Sequence, residues 1–266
     1  MALHFHKMHG LGNDFVIVDG RLAPVTITAE LARAIADRHR GVGCDQLILI
    51  GKSDKADVSM RIWNHDGGEV ESCGNASRCV VALTGAKTIE TPGGIIEGST
   101  AGSEVEVTLV EPRFGWADIP IAYPMDTTSL PLAWGELKHG FAVNVGNPHV
   151  VFFVDNPDTV DLETYGPSIE NDPAFPERIN VHVAAVRDDG IHMRSWERGA
   201  GLTLACGTGA CATGVAAIAT KRATSPVAVH MPGGSLTISW QPGGPVRMRG
   251  TATHVFEGEL DLEALR

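Results

Sequence analysis

The sequence predicts a mixed α/β (α+β) fold made of two pseudo-symmetric domains, and three observations carry that prediction. First, the element order repeats once: strands, a helix, strands, a Cys-Gly motif, a second helix, then hairpins with Gly-rich turns. The repeat spans about 130 residues, too long for a solenoid unit and right for a duplicated domain. Second, the halves match best at one motif, ESCGNASRC around Cys73 and LACGTGAC around Cys206. Third, 266 residues, 43% of them hydrophobic, can fill one large core or two ordinary ones.

In the first half, strand-like text at His4–Phe5 and Phe15–Asp19 flanks the loop HGLGND. A helix is predicted from Ala29 to Arg40, with Thr28 as its cap and Leu31, Ile35 and Ala36 as its apolar stripe. The loop Gly41–Asp45 leads to an apolar strand, Gln46–Ile50, and alternation over Asp57–Trp63 gives another. The loop NHDGGEVES precedes Cys73 and a helix ending near Thr84–Gly85. From Lys87 to Val110 short strands alternate with Gly-rich turns, as in hairpins.

The segment Pro112–Pro131 is rich in proline and has no clear period, so the domain change is placed there: residues 1–115 form the first domain and 116–251 the second. The second half then reads as strands at Phe141–Val145 and Val150–Val154, a helix at Asp161–Ile169, and strands at Ile179–Val186 and Ile191–Trp196. The loop ERGAGLTLA leads to Cys206 and a long apolar helix rich in Gly, Ala and Thr, which reads as buried and closely packed. Strands with PGG turns close the half, and the tail 252–266, strand-like at Val255 and Phe256, is expected to return to the first domain.

Composition excludes several functions. Acidic residues outnumber basic ones by 32 to 21, for a net charge of -11, which argues against binding a nucleic-acid backbone. The N-terminal text has no apolar core with a cleavage site, and no stretch reaches the roughly 18 apolar residues of a membrane span. A cytoplasmic location is the expectation. Five cysteines fit no disulfide framework in a chain of this length, so reduced thiols are expected.

Each of Cys73 and Cys206 is followed by Gly, then small and polar residues, then an apolar run. That pattern places a thiol at a helix N-terminus, where the helix dipole favours an anion. An ordinary thiol ionises near pH 8.5, and a helix end lowers that value by about one, so a substrate ammonium would have to supply the rest. Two facing sulfurs resist double ionisation and settle as one thiolate and one thiol. Such a pair suits two-base inversion at carbon: the thiolate takes an α-proton and the thiol returns one to the opposite face. Backbone N–H groups of Gly74, Asn75, Gly207 and Thr208 at the helix ends can bind the substrate carboxylate as charge grows.

A buried cysteine is more often just a small hydrophobe, and that reading is kept for Cys44, Cys79 and Cys211. The spacings Cys-x5-Cys and Cys-x4-Cys do not suit zinc, so no metal is expected. No lysine or ligand cluster suggests pyridoxal phosphate, so no cofactor is expected. The Gly207-x-Gly209-x-x-Ala212 pattern mimics a dinucleotide fingerprint but lacks the acidic residue about 20 positions on.

The segments KMHGLGNDFVIVD (7–19), GVGCDQLI (41–48), NHDGGEVESCGNASRC (64–79), VNVGNPHVV (143–151), ERINVHV (177–183) and WERGAGLTLACGTGACA (196–212) together resemble the diaminopimelate epimerases, in order, over nearly the whole chain. The resemblance implies that each domain is a curved, mostly antiparallel sheet wrapped around a central helix, with the active site in the interdomain cleft. It implies a cofactor-independent epimerase interconverting LL- and meso-diaminopimelate, in lysine and cell-wall precursor biosynthesis. Cys73 and Cys206 would be the acid/base thiols. Asn13, Gln46, Asn64, Gly74, Asn75, Asn147, Asn180, Glu197, Arg198, Gly207 and Thr208 would bind substrate, with His149 and Glu197 facing the reacting ammonium and Arg198 the distal carboxylate. Asp14, Asp66 and Arg78 would be structural neighbours. A homodimer is an expectation from the resemblance alone.

Three positions depart from the family's usual text: CGNAS in the first cysteine motif, His65 where Ala or Pro is usual, and Leu202 where many members carry Glu. Leu202 removes a charge expected near the second thiol, which predicts altered tuning rather than altered chemistry. The rivals are a proline or hydroxyproline racemase, which carries His where Asn75 stands, a dithiol redox protein, and a non-catalytic binding module.

Overall fold

The computed structural model describes residues 2–21, 23–71 and 73–265, and the chain divides into two compact units. Unit 1 comprises Met1–Val107 with Gly250–Arg266, and unit 2 comprises Thr108–Arg249.

In unit 1, β1 (Ala2–Gly10) and β2 (Asn13–Asp19) form an antiparallel hairpin. The text expected to be a loop is a two-residue turn, with Leu11 at φ 58° and Gly12 at φ 89°. Both values are left-handed, the geometry of a type I′ turn that matches strand twist. Helix α1 (Ala29–Ala36) is capped by Thr28, whose hydroxyl accepts from the Leu31 N–H. It stops four residues short of the predicted Arg40. The Asp37 carboxylate takes the N–H groups of His39 and Arg40 into a local turn, and Val42 and Gly43 donate to Ile35 O instead. Gly41 makes that reversal possible, because a Cβ there would lie 2.1 Å from Ala34 O.

After α1 come β3 (Gln46–Gly51), β4 (Val58–Asn64), β5 (Glu69–Val70), helix α2 (Gly74–Thr84), β6 (Thr88–Thr91), β7 (Gly94–Ala101) and β8 (Glu104–Thr108). Strand β2 pairs in parallel with β3, β3 antiparallel with β4, β4 antiparallel with β5 and in parallel with β6, and β6 antiparallel with β7. Helix α2 packs on β1 and β7 and ends at Gly85 in the left-handed conformation.

The proline-rich segment that opens unit 2 is not a free connector. Ile119, Ile121 and Leu130 are buried in its core, and the hairpin β9 (Ala133–Trp134) and β10 (Leu137–Lys138) follows. Then come β11 (Phe141–Asn144), β12 (Pro148–Phe153), α3 (Leu162–Glu170), β13 (Asn180–Arg187), β14 (Gly190–Glu197), β15 (Gly201–Thr203), α4 (Gly207–Ala219), β16 (Val227–Met231), β17 (Gly234–Ser239) and β18 (Arg247–Thr251). The pairing repeats that of unit 1 step for step. Strands β11 and β12 are antiparallel, β12 and β13 parallel, β13 and β14 antiparallel, β14 antiparallel to β15 and parallel to β16, and β16 antiparallel to β17. Helix α1 thus corresponds to α3, and α2 to α4.

Helix α4 is apolar on every side and sits against β11, β12, β13, β14, β16 and β17. A helix buried all round needs small residues where strands crowd it. A Cβ on Gly214 would meet Ile238 at 2.8 Å, and one on Gly209 would meet the His182 ring at 2.4 Å. Finally β19 (Thr253–Asp261) pairs antiparallel with β1 over nearly the length of both strands.

Candidate active site

In unit 1 the expected residues gather where strands begin or end beside the start of α2. Asn13 opens β2, Gln46 opens β3 and Asn64 closes β4. Since β2 and β3 run parallel and β4 returns, all three lie at one end of the sheet, with Gln46 in register opposite Asn64. Asn13 Nδ2 donates to Asp45 Oδ2 at 2.9 Å, so its Oδ1 faces α2. There it accepts from Asn75 Nδ2 at 3.2 Å and from the Cys73 thiol at 3.9 Å. Asp45 is itself held by Arg38 at 2.8 Å. Gln46 Nε2 donates to Asn64 Oδ1 at 2.9 Å, and Gln46 Oε1 is buried without a hydrogen-bond partner among the described residues. A buried orphan carbonyl oxygen is suited to receive an ammonium or N–H from a ligand.

Arg78 lies on α2 and is fully buried. Its Nη2 donates to Asn75 Oδ1 at 3.0 Å and its Nε to Thr251 O at 3.4 Å. Gly10 lets β1 pass this pair, since a Cβ there would stand 2.9 Å from Arg78 Nη2. Asp14 and Asp66 have structural partners: Asp14 binds Lys7 and Arg38, and Asp66 Oδ1 accepts from the Gly68 N–H in a turn.

Both motif cysteines are helix N-caps in extended backbone, Cys73 at φ -149° and Cys206 at φ -117°. They differ in setting. Cys73 is half-buried and its sulfur takes no cap hydrogen bond. Cys206 is only 3% exposed, its sulfur accepts from the Gly209 N–H at 3.3 Å, and Thr208 Oγ1 lies 3.7 Å away. Burial pushes the Cys206 thiol well above its ordinary pKa, and the charge and hydrogen bond of Glu197 push the same way. The Gly209 N–H and Thr208 hydroxyl offset this only in part. The helix end alone therefore does not lower this thiol as the sequence led one to expect, because desolvation outweighs it. Cys44 and Cys79 are pushed up by burial to about 11 and about 12, which suits inert core thiols.

In unit 2, Asn147 sits in the turn between β11 and β12, His149 lies in β12, Asn180 opens β13 in register with His149, and Glu197 closes β14 ahead of Arg198. Asn180 Nδ2 donates to Pro148 O at 2.8 Å, and its Oδ1 accepts from the Arg198 N–H at 3.0 Å. This amide thus fixes the backbone that carries His149 and Arg198. Arg198 Nη1 donates to Glu177 O at 2.9 Å, and Thr203 donates to Glu197 Oε1 at 2.6 Å. Leu202 is 42% exposed and pairs in register with Trp196, and His65 is also exposed.

Sequence reasoning missed two members of this cluster. His149 Nδ1 lies 2.8 Å from His182 Nε2, and His182 Nδ1 lies 2.9 Å from Ser195 Oγ. His149 Nε2 lies 2.7 Å from Asn147 Oδ1. Burial, with the charges of His182 and Arg198, holds His149 far below the usual histidine range, and burial lowers His182 to about 3. The signal was present: in Asn180-Val-His182, residues two apart share a face of a strand.

Two repeated α/β units, each with a cysteine-capped helix, make up a fold that amino-acid racemases and epimerases use. The fold is shared with a probable proline racemase from Agrobacterium radiobacter K84, with a TM-score of 0.70 and 14% identity, over 98% of this chain and 93% of that one. A sequence model of diaminopimelate epimerase matches residues 5–114 and 141–255. Diaminopimelate epimerase of Rhizorhabdus wittichii is 60% identical over 267 aligned residues, covering 99% of this chain and 97% of that protein. That of Sphingopyxis alaskensis is 59% identical, covering 98% of each. The chain belongs to the diaminopimelate epimerase family.

Proposed function

We propose that the protein interconverts LL- and meso-diaminopimelate, with Cys73 and Cys206 acting on one α-carbon from opposite faces. The observation that carries this reading is that both thiols cap helices at equivalent places in the repeat, each among side chains suited to an amino-acid zwitterion. One sulfur, as thiolate, takes the α-proton. The electron pair left on carbon delocalises into the carboxylate, and the other sulfur, as thiol, gives its proton to the opposite face. The thiolate then stands on the second sulfur, ready for the reverse direction.

The amides at Gly74, Asn75, Gly207 and Thr208 receive the carboxylate as it gains charge. The high affinity of Cys206 for its proton suits it to the thiol role in the resting state. Glu197 holds the reacting ammonium, while Asn13, Gln46, Asn64, Asn147 and Asn180 with Arg198 hold the distal zwitterion; His149, whose two ring nitrogens are engaged by His182 and Asn147, serves the substrate through Asn147. Amide side chains suit that task because they bind without adding net charge. The orphan oxygen of Gln46 supports this assignment, as a buried acceptor in want of a donor. We place the enzyme in the cytoplasm, as a homodimer, in lysine and cell-wall precursor synthesis. Among the described residues no helix is long and apolar enough to cross a membrane.

The test is incubation with LL-diaminopimelate in D2O under reducing conditions. α-Deuterium incorporation and meso product are expected, and Cys73→Ala and Cys206→Ala should each abolish epimerisation. Racemisation of proline instead, or dithiol cycling without exchange at carbon, would overturn the reading.

A further inference from the structure

We propose that Ser195 and His182 are positioning residues that lock His149 in one tautomer and, through it, the Asn147 amide in one orientation. Donors and acceptors in this buried chain can be assigned from its end. Asn147 Oδ1 only accepts, so His149 Nε2, 2.7 Å away, must carry the hydrogen. A neutral imidazole has one N–H, so His149 Nδ1 is bare and accepts from His182 Nε2 at 2.8 Å. His182 Nδ1 is then bare in turn, and the Ser195 hydroxyl donates to it at 2.9 Å. The chain has one direction, Ser195 to His182 to His149 to Asn147, and burial keeps both rings neutral, with the Arg198 guanidinium acting the same way on His149.

Three neighbouring strands hold the chain in place. Val151 of β12 is in register with His182 of β13, which is in register with Ser195 of β14. The other side of the His182 ring rests on Gly209, where a Cβ would come within 2.4 Å. Gly209 is the residue whose N–H binds the Cys206 sulfur. His182 is thus wedged between the first turn of α4 and the ring of His149.

The consequence falls on Asn147. With its Oδ1 held by His149, its NH2 faces no acceptor among the described residues and is presented to the ligand. This step rests on the assignment of Asn147 to substrate binding made above. Without His182 as donor, His149 can take up the Nδ1–H form, and Asn147 can turn its NH2 inward. It would then present a carbonyl oxygen where its amide hydrogens had faced the substrate.

Long-range 1H–15N spectra of the histidine rings test the lock without substrate. Both His149 and His182 are expected to be neutral Nε2–H tautomers from pH 5.5 to 8. A ring that titrates in this range, or an Nδ1–H form of either, overturns the proposal. His182→Gln keeps one donor and one acceptor and should retain the His149 tautomer and most of kcat/KM. His182→Phe, which keeps the shape alone, should lose the tautomer preference and lower kcat/KM about tenfold, mainly through KM, the scale of one hydrogen bond to a charged group. Ser195→Ala, a smaller change, should mix the tautomers and cost a few-fold. Equal activity in the Gln and Phe variants, or an unchanged tautomer in Ser195→Ala, counts against it. A wild-type protein with the expected tautomers but no epimerisation would sink the functional reading and leave the lock intact.

Discussion

At the scale of single residues, the two thiols share a sequence context but not an environment. The Gly209 N–H and the helix end favour a Cys206 thiolate, while burial and the Glu197 carboxylate oppose it and win. Burial belongs to the site and cannot be removed by one substitution, but the carboxylate can. Glu197→Gln deletes a like charge and should lower the Cys206 pKa, so its alkylation by iodoacetamide at pH 8 should speed up, read by peptide mass spectrometry. An unchanged or slower rate would mean that Glu197 does not act on the sulfur electrostatically. The cap positions of Cys73 and Cys206 were legible in the sequence because a helix cap is a local pattern. Ser195 was not, and His182 only as a residue on the same strand face as Asn180, because their partnership with His149 depends on the register of three strands.

At the scale of elements, glycines decide where backbones meet. A methyl group at Gly209 cannot be accommodated beside the His182 ring without movement of α4 or β13. Gly209→Ala should therefore destabilise by about 1–3 kcal/mol in urea unfolding, the usual cost of overpacking a core. The loss should shrink when His182→Ala makes room, the coupling expected of touching residues. A stability equal to wild type would show that the helix start yields freely. Elsewhere the sequence misled for identifiable reasons. Leu at positive φ is rare, so Leu11 hid the turn that sets Asn13 at the start of β2. The apolar stripe of α1 gave no warning of its early end, which is set by an aspartate binding backbone just beyond it.

For the whole molecule, two buried neutral histidines give a direction to its response to acid. In the unfolded chain each ring takes a proton near pH 6.5. In the native state both resist, His182 down to about 3. Between those values the unfolded state binds more protons, so stability falls with pH by about 1.4 kcal/mol per unit for each ring, and above 6.5 the penalty vanishes. Urea midpoints should hold level from pH 8 to about 6.5 and then fall, and His182→Gln should reduce the slope. A level midpoint down to pH 5 would contradict the burial of neutral rings. The repeat itself was readable from element order, because strand and helix periods survive where identity between halves has faded. Which strands pair in parallel was not readable, since parallel partners are separated by a helix and share no turn.

The last strand, β19, fills its place against β1 from the far end of the chain. Unit 2 is continuous in sequence, whereas unit 1 is not. On the ribosome, therefore, the second unit has every residue it needs before the first does. The usual order of synthesis, in which the earlier domain is finished first, is reversed here. The opening strand must wait, with one edge unprotected, until residues 253–261 emerge to cover it.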